Sequence, residues 1–375
     1  MKILVAMDSF KGSLTATEAC DAVEQGILLA DENIEVIKKP IADGGEGTVN
    51  TLVDALNGQI ITLDVNNPLM QKIQGYYGII NNKTAIIEMA VASGLTLLEE
   101  NERNPLYTTT YGVGEIIKDA LNRGIRDFII AIGGSATNDG GTGMLNALGA
   151  NFFDNEGKKL EPIGENLFNI NSVDLHGLDK RLSKANFLVA CDVNNPLYGP
   201  SGAAYIYGPQ KGATKDVVKY LDEGLKHFSL KTSNLLSIDN SQIPGTGAAG
   251  GLGFALLSYL NATLKPGIEI VLDYLEIEKI INNVDLIITG EGKIDSQSKM
   301  GKVLSGLGNL GIKYNRKVIA FGGMVEKKLL LKEYGISTII QINRKNLSLA
   351  DAMKKDNAKL LLRDSVKKYF KSKNA

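Results

Sequence analysis

The sequence predicts an α/β protein in which a parallel-sheet domain is assembled from both ends of the chain and a second α/β domain of mixed sheet is inserted between them. Short apolar runs alternate with helical stretches over the first 60 residues, and the same alternation returns near the other end. The middle is less regular, with short strands separated by long glycine-rich loops. Strands alternating with helices indicate parallel βαβ units. Two similar ends around a dissimilar middle place the outer domain at residues 1–70 plus 283–375 and the inserted domain at 71–282.

Residues 2–7 form a short apolar β-type run, followed by a loop and a helix from Ala16, where Thr15 and Glu18 match a capping box. A second strand at 34–41 leads into Ala42-Asp-Gly-Gly-Glu-Gly47 and a helical stretch ending near Leu56. In the middle, 83–89, 128–132 and 187–191 read as short strands. Residues 284–289 read as a strand followed by a glycine-rich loop and a helix, and 317–321 and 337–342 as two more strands. In the last helix, Leu349, Met353, Leu360, Leu362, Val366 and Phe370 approximate helical spacing with lysines between them. The segment 313–375 carries 16 basic against 5 acidic residues, which reads as a solvated outer face.

Composition narrows the function. The 375 residues are 44% hydrophobic, ample for packed cores, and 41 basic against 42 acidic side chains leave a net charge of −1. That balance supplies no global field for a polyanion, so nucleic acid is excluded as a partner. Cys20 and Cys191 stand far apart in sequence, which argues for a reducing compartment. The longest apolar stretch, 248–260, is too short for a membrane span, and Asp8 and Lys11 interrupt the one candidate signal sequence. A cytoplasmic location without membrane partners is expected.

The 41 glycines cluster at 43–47, 133–143, 199–212, 245–253 and 290–301, beside carboxylates and lysines. Glycine lets backbone approach a ligand closely, so such clusters suggest sites for a phosphorylated ligand. Polar residues recur where an apolar strand ends: Asp8, Ser9, Lys11 and Ser13; Asp43; Gly133 to Gly141; Asp192, Asn194 and Asn195; Gly290 to Asp295. The carboxyl ends of strands are where open α/β sheets bind ligands, and helix N-termini there favour phosphate. Asp, Asn, Ser and Gly also serve as ordinary turn and cap residues, so Asp43 or Asp139 alone reads as structural. The pairing of Asp8 with Lys11 is sharper, because an acid and a lysine three apart on one turn suit magnesium and phosphate respectively.

No Gly-Lys pair is followed by Ser or Thr, so the chain has no P-loop. Gly245-Thr-Gly-Ala-Ala-Gly250 fits the G-x-G-x-x-G spacing, with Glu269 downstream, but the preceding residues 239–244 are polar and end in proline instead of forming a strand. A tight glycine loop packed against a ligand or helix is the favoured reading there. His176 and His227 lack partners at metal-ligand spacing and read as surface residues, and both cysteines sit in apolar runs. The remaining inventory of carboxylates, lysines and glycine backbone suits phosphoryl transfer, in which positioning and charge neutralisation dominate.

These loops together resemble the bacterial glycerate kinase family, a two-domain α/β class without a P-loop. The resemblance spans essentially the whole chain. It is carried by Asp8-Ser-Phe-Lys-Gly-Ser13, Ala42-Asp-Gly-Gly-Glu-Gly47, Thr108-Thr-Thr-Tyr-Gly-Val-Gly-Glu115, Ile132-Gly-Gly-Ser-Ala-Thr-Asn-Asp-Gly-Gly141, Cys191-Asp-Val-Asn-Asn-Pro-Leu197, Gly208-Pro-Gln-Lys-Gly-Ala213, Gly247-Ala-Ala-Gly-Gly-Leu-Gly253 and Thr289-Gly-Glu-Gly-Lys-Ile-Asp295. It implies a flavodoxin-like domain built from both chain ends and ATP- and magnesium-dependent phosphorylation of D-glycerate, with 2-phosphoglycerate favoured over 3-phosphoglycerate on family grounds. Lys293 replaces an arginine common in the family and keeps the charge, while Gln297 and Lys302 follow the pattern.

Chemistry then suggests roles. Lys11 and Lys293 neutralise phosphate or the glycerate carboxylate, and Asp192 or Asp295 accepts the hydroxyl proton. Asp8, Asp43 and Glu291 hold magnesium or fix the lysines. The backbone of Gly133, Gly134, Ser135, Thr137, Asn138, Asp139 and Gly140 cradles ATP phosphates. A nicotinamide-dependent oxidoreductase resting on Gly245 to Gly250 and a non-catalytic small-molecule sensor are the competing classes.

Overall fold

The computed structural model describes residues 1–295, 302–326, 334–343 and 347–372. It is of the α/β class expected from sequence and divides into two compact units, Met1–Asp43 with Asp54–Leu56 and Gly267–Ala375, and Gly44–Val53 with Asn57–Pro266. No helix among the described residues is long and apolar enough to cross a membrane.

The first unit is built on five parallel strands in the spatial order Ile336–Gln341, Lys317–Val325, Leu286–Ile294, Lys2–Met7, Glu35–Lys38. Ile3 to Met7 are all fully buried, the continuous apolar run required of a strand covered on both faces. Ile3, Val5, Met7, Ile288, Ile319 and Phe321 pack with the helices Ala16–Leu28 and Lys355–Lys371. The helix Val303–Lys313 lies against the alternate residues, with Gly311 pressed on Val318. The capping box of Thr15 and Glu18 is present, Glu18 N donating to Thr15 Oγ1 at 3.2 Å and Thr15 N to Glu18 Oε2 at 3.1 Å.

Three details depart from the sequence reading. The strand expected to end at 289 runs on to Ile294, because its neighbour also runs on, to Val325, and Glu291 pairs with Gly322 and Lys293 with Met324. Gly290 to Lys293 are therefore ladder residues, not a loop. The strand expected at 34–41 is confined to Glu35–Lys38. The final helix is broken at Lys354 into Leu349–Met353 and Lys355–Lys371, which resets its phase. Leu349, Met353 and Leu360 are exposed, while Ala358, Leu361, Leu362, Val366 and Phe370 make the buried stripe.

Gly26 lies where this last helix crosses the first: a Cβ there would stand 2.5 Å from the Arg363 carbonyl and 2.8 Å from Val366 Cβ. Alanine normally gains stability over glycine within a helix. Here overpacking outweighs that gain, and Gly26→Ala is expected to lose about 1–2 kcal/mol in a chemical denaturation midpoint series. A stabilised variant would show that the two helices separate without cost.

The second unit holds a six-stranded mixed sheet in the order Thr263–Lys265, Asn186–Ala190, Asp127–Ala131, Thr84–Glu88, Lys72–Ile80, Gln59–Asn66. The first four strands are parallel and the last two form an antiparallel hairpin. A small antiparallel pair, Asn151–Phe153 with Ser172–Asp174, stands apart from it. Phe128 and Phe187 stack across neighbouring strands with ring centroids 4.7 Å apart. The 22-residue helix Lys215–Leu236 buries Leu221, Leu225 and Phe228 in the same core.

Candidate active site

In the first unit, the segment after Lys2–Met7 is pinned from both sides. Asp8 N donates to the Gly290 carbonyl at 2.9 Å, and Phe10 and Leu14 bond to each other across a tight turn whose Gly12 has φ +73°. Phe10 and Leu14 are buried in the core, which leaves Lys11 projecting as an exposed side chain from a fixed turn. Gly292 lies beneath the turn, where a Cβ would come within 3.3 Å of Phe10 Cα.

A cleft of about 450 Å³ opens at this strand end, lined by Asp8, Ser9, Lys11, Ser13, Asp43, Glu291, Lys293, Asp295 and Lys302 among others. Glu291, Lys293 and Asp295 recur at spacing two along one strand and its extension, hence on one side of it. Lys293 Nζ stands 3.0 Å from Asp295 Oδ2, and that carboxylate raises the lysine's pKa. Asp8 is 9% exposed. Burial first, then the neighbouring Asp43 and Glu291 charges, push its carboxyl up to about 7, against the Ser9 amide at 2.6 Å and the Lys11 ammonium, which pull it down. Among the described residues no three His, Cys, Asp or Glu side chains form a ready-made metal cage. The donor set of carboxylate oxygens nevertheless fits Mg²⁺, which needs only one or two carboxylates and completes its shell with water and substrate phosphate. Gln297 and Gly301 lie outside the described residues.

The remaining candidates belong to the second unit. Asp192 is exposed just beyond Asn186–Ala190, and Asn195 is held by Tyr207 Oη at 2.6 Å while its own Nδ2 donates to the Ser201 carbonyl at 2.7 Å. The loop after Asp127–Ala131 splits into two layers. Gly133 and Gly134 are exposed, whereas Ser135, Thr137, Asn138, Asp139 and Gly140 are buried. Asp139 accepts from Thr110 N at 2.8 Å, Thr110 Oγ1 at 2.7 Å, and the amides of Gly141 and Gly143 at 3.1 Å each. Its burial raises its pKa against those four bonds. The helix that follows, Thr142–Ala147, has six residues, and the amides of Gly143 and of the N-cap Gly141 are already taken by this carboxylate.

The family model for the glycerate kinase family matches residues 3–371. The chain belongs to the glycerate kinase family. The glycerate kinase of Bacillus cereus is 46% identical over 356 residues, covering 94% of this chain and 93% of that protein. The glycerate 2-kinase of Escherichia coli is 44% identical over 344 residues, covering 91% and 90%. The crystal structure of a candidate glycerate kinase 2 from Salmonella typhimurium superposes with a TM-score of 0.91 at 42% identity, covering all of this chain and 98% of that one. Membership makes this glycerate kinase homologue a phosphotransferase with an alcohol group as acceptor and a nucleotide as phosphoryl source.

Family membership removes the oxidoreductase alternative, and the packing of 245–250 accounts for its glycines. A Cβ on Gly247 or Gly250 would strike the carbonyls of Pro196 and Thr137, and the segment follows turns instead of a strand. His176 is exposed as expected, while His227 is half-buried and bonds the Ile170 carbonyl at 2.7 Å. Two residues escaped the sequence reading. Glu88, buried at the end of Thr84–Glu88, accepts from Val49 N at 2.8 Å and thereby seats the start of the helix Thr48–Ala55. Lys211 was visible within its motif and carried no assigned role. Glu88 had a readable signal, the strand-end carboxylate shared by the other loops; Lys211 had none beyond a lysine between glycines.

Proposed function

We propose that this enzyme transfers the γ-phosphoryl group of ATP to the 2-hydroxyl of D-glycerate in the presence of Mg²⁺. The observation that carries the reading is the strand-end cleft of the first unit, which gathers carboxylates and lysines in the inventory phosphoryl transfer uses. The glycerate 2-kinase relative supports the choice of hydroxyl over the 3-position. One or two carboxylates from among Asp8, Asp43 and Glu291 would hold Mg²⁺, which would supply neutralisation of the charge developing on the phosphates. Lys11 and Lys293 neutralise phosphate or the substrate carboxylate. The exposed backbone of Gly133 and Gly134 is the part of its loop open to the nucleotide. Incubating the protein with ATP, magnesium and a panel of short hydroxy acids, then recording phosphorus NMR of the product, tests all of this. Turnover of another acid, or a 3-phosphoglycerate spectrum, would refute the assignment.

Asp192 is assigned the proton from the hydroxyl, because it follows the strand Asn186–Ala190 closely with the polar Asn194 and Asn195 beside it. Asp192→Asn is expected to lower turnover by about 10²–10⁴-fold with no rescue by magnesium. Asp295→Asn is expected to be partly rescued by higher magnesium. If Asp192 merely caps its turn, the Asn variant costs about 1 kcal/mol of stability and little rate. Rates within a few-fold of the parent for both variants would remove both residues from proton transfer.

A further inference from the structure

Lys211, the charged residue of Gly208-Pro-Gln-Lys-Gly-Ala213, is 2% exposed. Its ammonium donates to Ser135 Oγ and to the Thr137 carbonyl, both at 2.7 Å, so that one group ties the chain on either side of Ala136. The turn that carries it is itself stiff. Lys211 N and Ala213 N both donate to the Gly208 carbonyl, and Gly212 sits at φ +92° against the Arg103 backbone.

Burying an ammonium costs several kcal/mol, and an apolar side chain of the same length would fill the space without that cost. Stability therefore does not account for a lysine here. Burial pushes its pKa down to about 7, with the Asp139 carboxylate opposing. Thr137 Oγ1 and both polar atoms of the Asn138 side chain are buried and make no hydrogen bond, so the side chains of these two residues do not tie the loop down.

We propose that Lys211 is a positioning residue for phosphoryl transfer, setting the course of the exposed Gly133–Gly134 backbone through Ser135 and Thr137. The proposal rests on the reading of that exposed backbone as a nucleotide contact. A loop displaced by an ångström loses the alignment on which such transfer depends.

The test is Lys211→Met, which keeps length and removes the donors, assayed in the full-length enzyme for kcat, for KM toward ATP and D-glycerate separately, and for amide hydrogen exchange of residues 133–141. The expected result is an ATP KM raised about ten-fold or more, a D-glycerate KM within about two-fold of the parent, and faster exchange confined to 133–141. Faster exchange with a raised D-glycerate KM alone would uphold Lys211 as the positioning residue and overturn the nucleotide reading of the loop. Unchanged exchange and unchanged KM values in a folded variant would overturn the proposal. If Lys211→Met does not fold, Ser135→Ala removes one of the two acceptors and is read by the same three measurements, an unchanged ATP KM and exchange rate counting against the proposal.

Discussion

Lys11→Ala is expected to cut turnover of D-glycerate with ATP by about 10²–10³-fold while moving the melting temperature by less than about 2 °C. The separation follows from the turn. Phe10 and Leu14 hold it to the core, Gly12 supplies the left-handed residue, and Lys11 itself is exposed. Truncation beyond Cβ thus removes charge and little packing. The lost charge acts twice, because the ammonium also draws down the Asp8 carboxyl. The pH at which the variant reaches half its maximal rate should accordingly rise. Initial rates across pH, beside a thermal melt, measure both effects; normal turnover with an unchanged melt would remove Lys11 from the mechanism.

Asp8→Asn is expected to abolish most activity and at the same time stabilise the fold above pH 7. The folded protein holds the Asp8 proton up to about pH 7, whereas the carboxyl in the unfolded chain releases it near its ordinary value of 3.8. The native state therefore binds more protons over that interval, and stability falls as pH rises through it. Above pH 7 the ionised carboxylate costs up to about 4 kcal/mol, from about 1.4 kcal/mol per pKa unit. Asparagine removes that cost but buries an amide, so a net gain of about 1–2 kcal/mol is expected at pH 8 and none at pH 4. The same titration bears on magnesium: in the parent enzyme the magnesium requirement should climb steeply as pH drops from 8 to 6, because a protonated Asp8 is a poor ligand. Denaturation at pH 4 and pH 8, with magnesium titrations of the rate, measure these effects. Equal destabilisation at both pH values would show that Asp8 is not held under strain.

The strand Lys2–Met7 and the capping box of Thr15 with Glu18 were legible because each is decided within a few residues, by a continuous apolar run or by two side chains three positions apart. The hairpin of Gln59–Asn66 with Lys72–Ile80 was not. Its turn depends on Asn67 Oδ1 accepting from Leu69 N and Gln71 N and on Met70 adopting φ +61°, a conformation no methionine advertises. The continuation of the strand through Gly290 to Ile294 was hidden for a different reason: glycines there read as a loop, and the partner that makes them a ladder lies some thirty residues downstream. The chemistry of the site was readable at the strand ends, since acids, lysines and glycines declare themselves by type. The layering of the 133–140 loop was not readable, because the side chain that ties Ser135 and Thr137 down is that of Lys211, 76 and 74 residues away.

The pairing of Lys2–Met7 with Leu286–Ile294 also bears on how the chain is made. Lys2 N bonds Asp285 Oδ2 at 2.7 Å across a separation of 283 residues. At about 5–20 residues per second, the ribosome delivers that partner roughly 15–60 s after the first strand has emerged. For all that time a strand that is apolar from Ile3 onward has only Glu35–Lys38 available from its own sheet, on one flank, and its other flank stays unpaired. Every strand of the six-stranded sheet lies between Gln59 and Lys265, so that unit can close while the other still waits. The nascent chain is thus exposed to mispairing at Lys2–Met7, and chaperone binding during synthesis should map to residues 1–40 and fade once Leu286–Ile294 has left the exit tunnel.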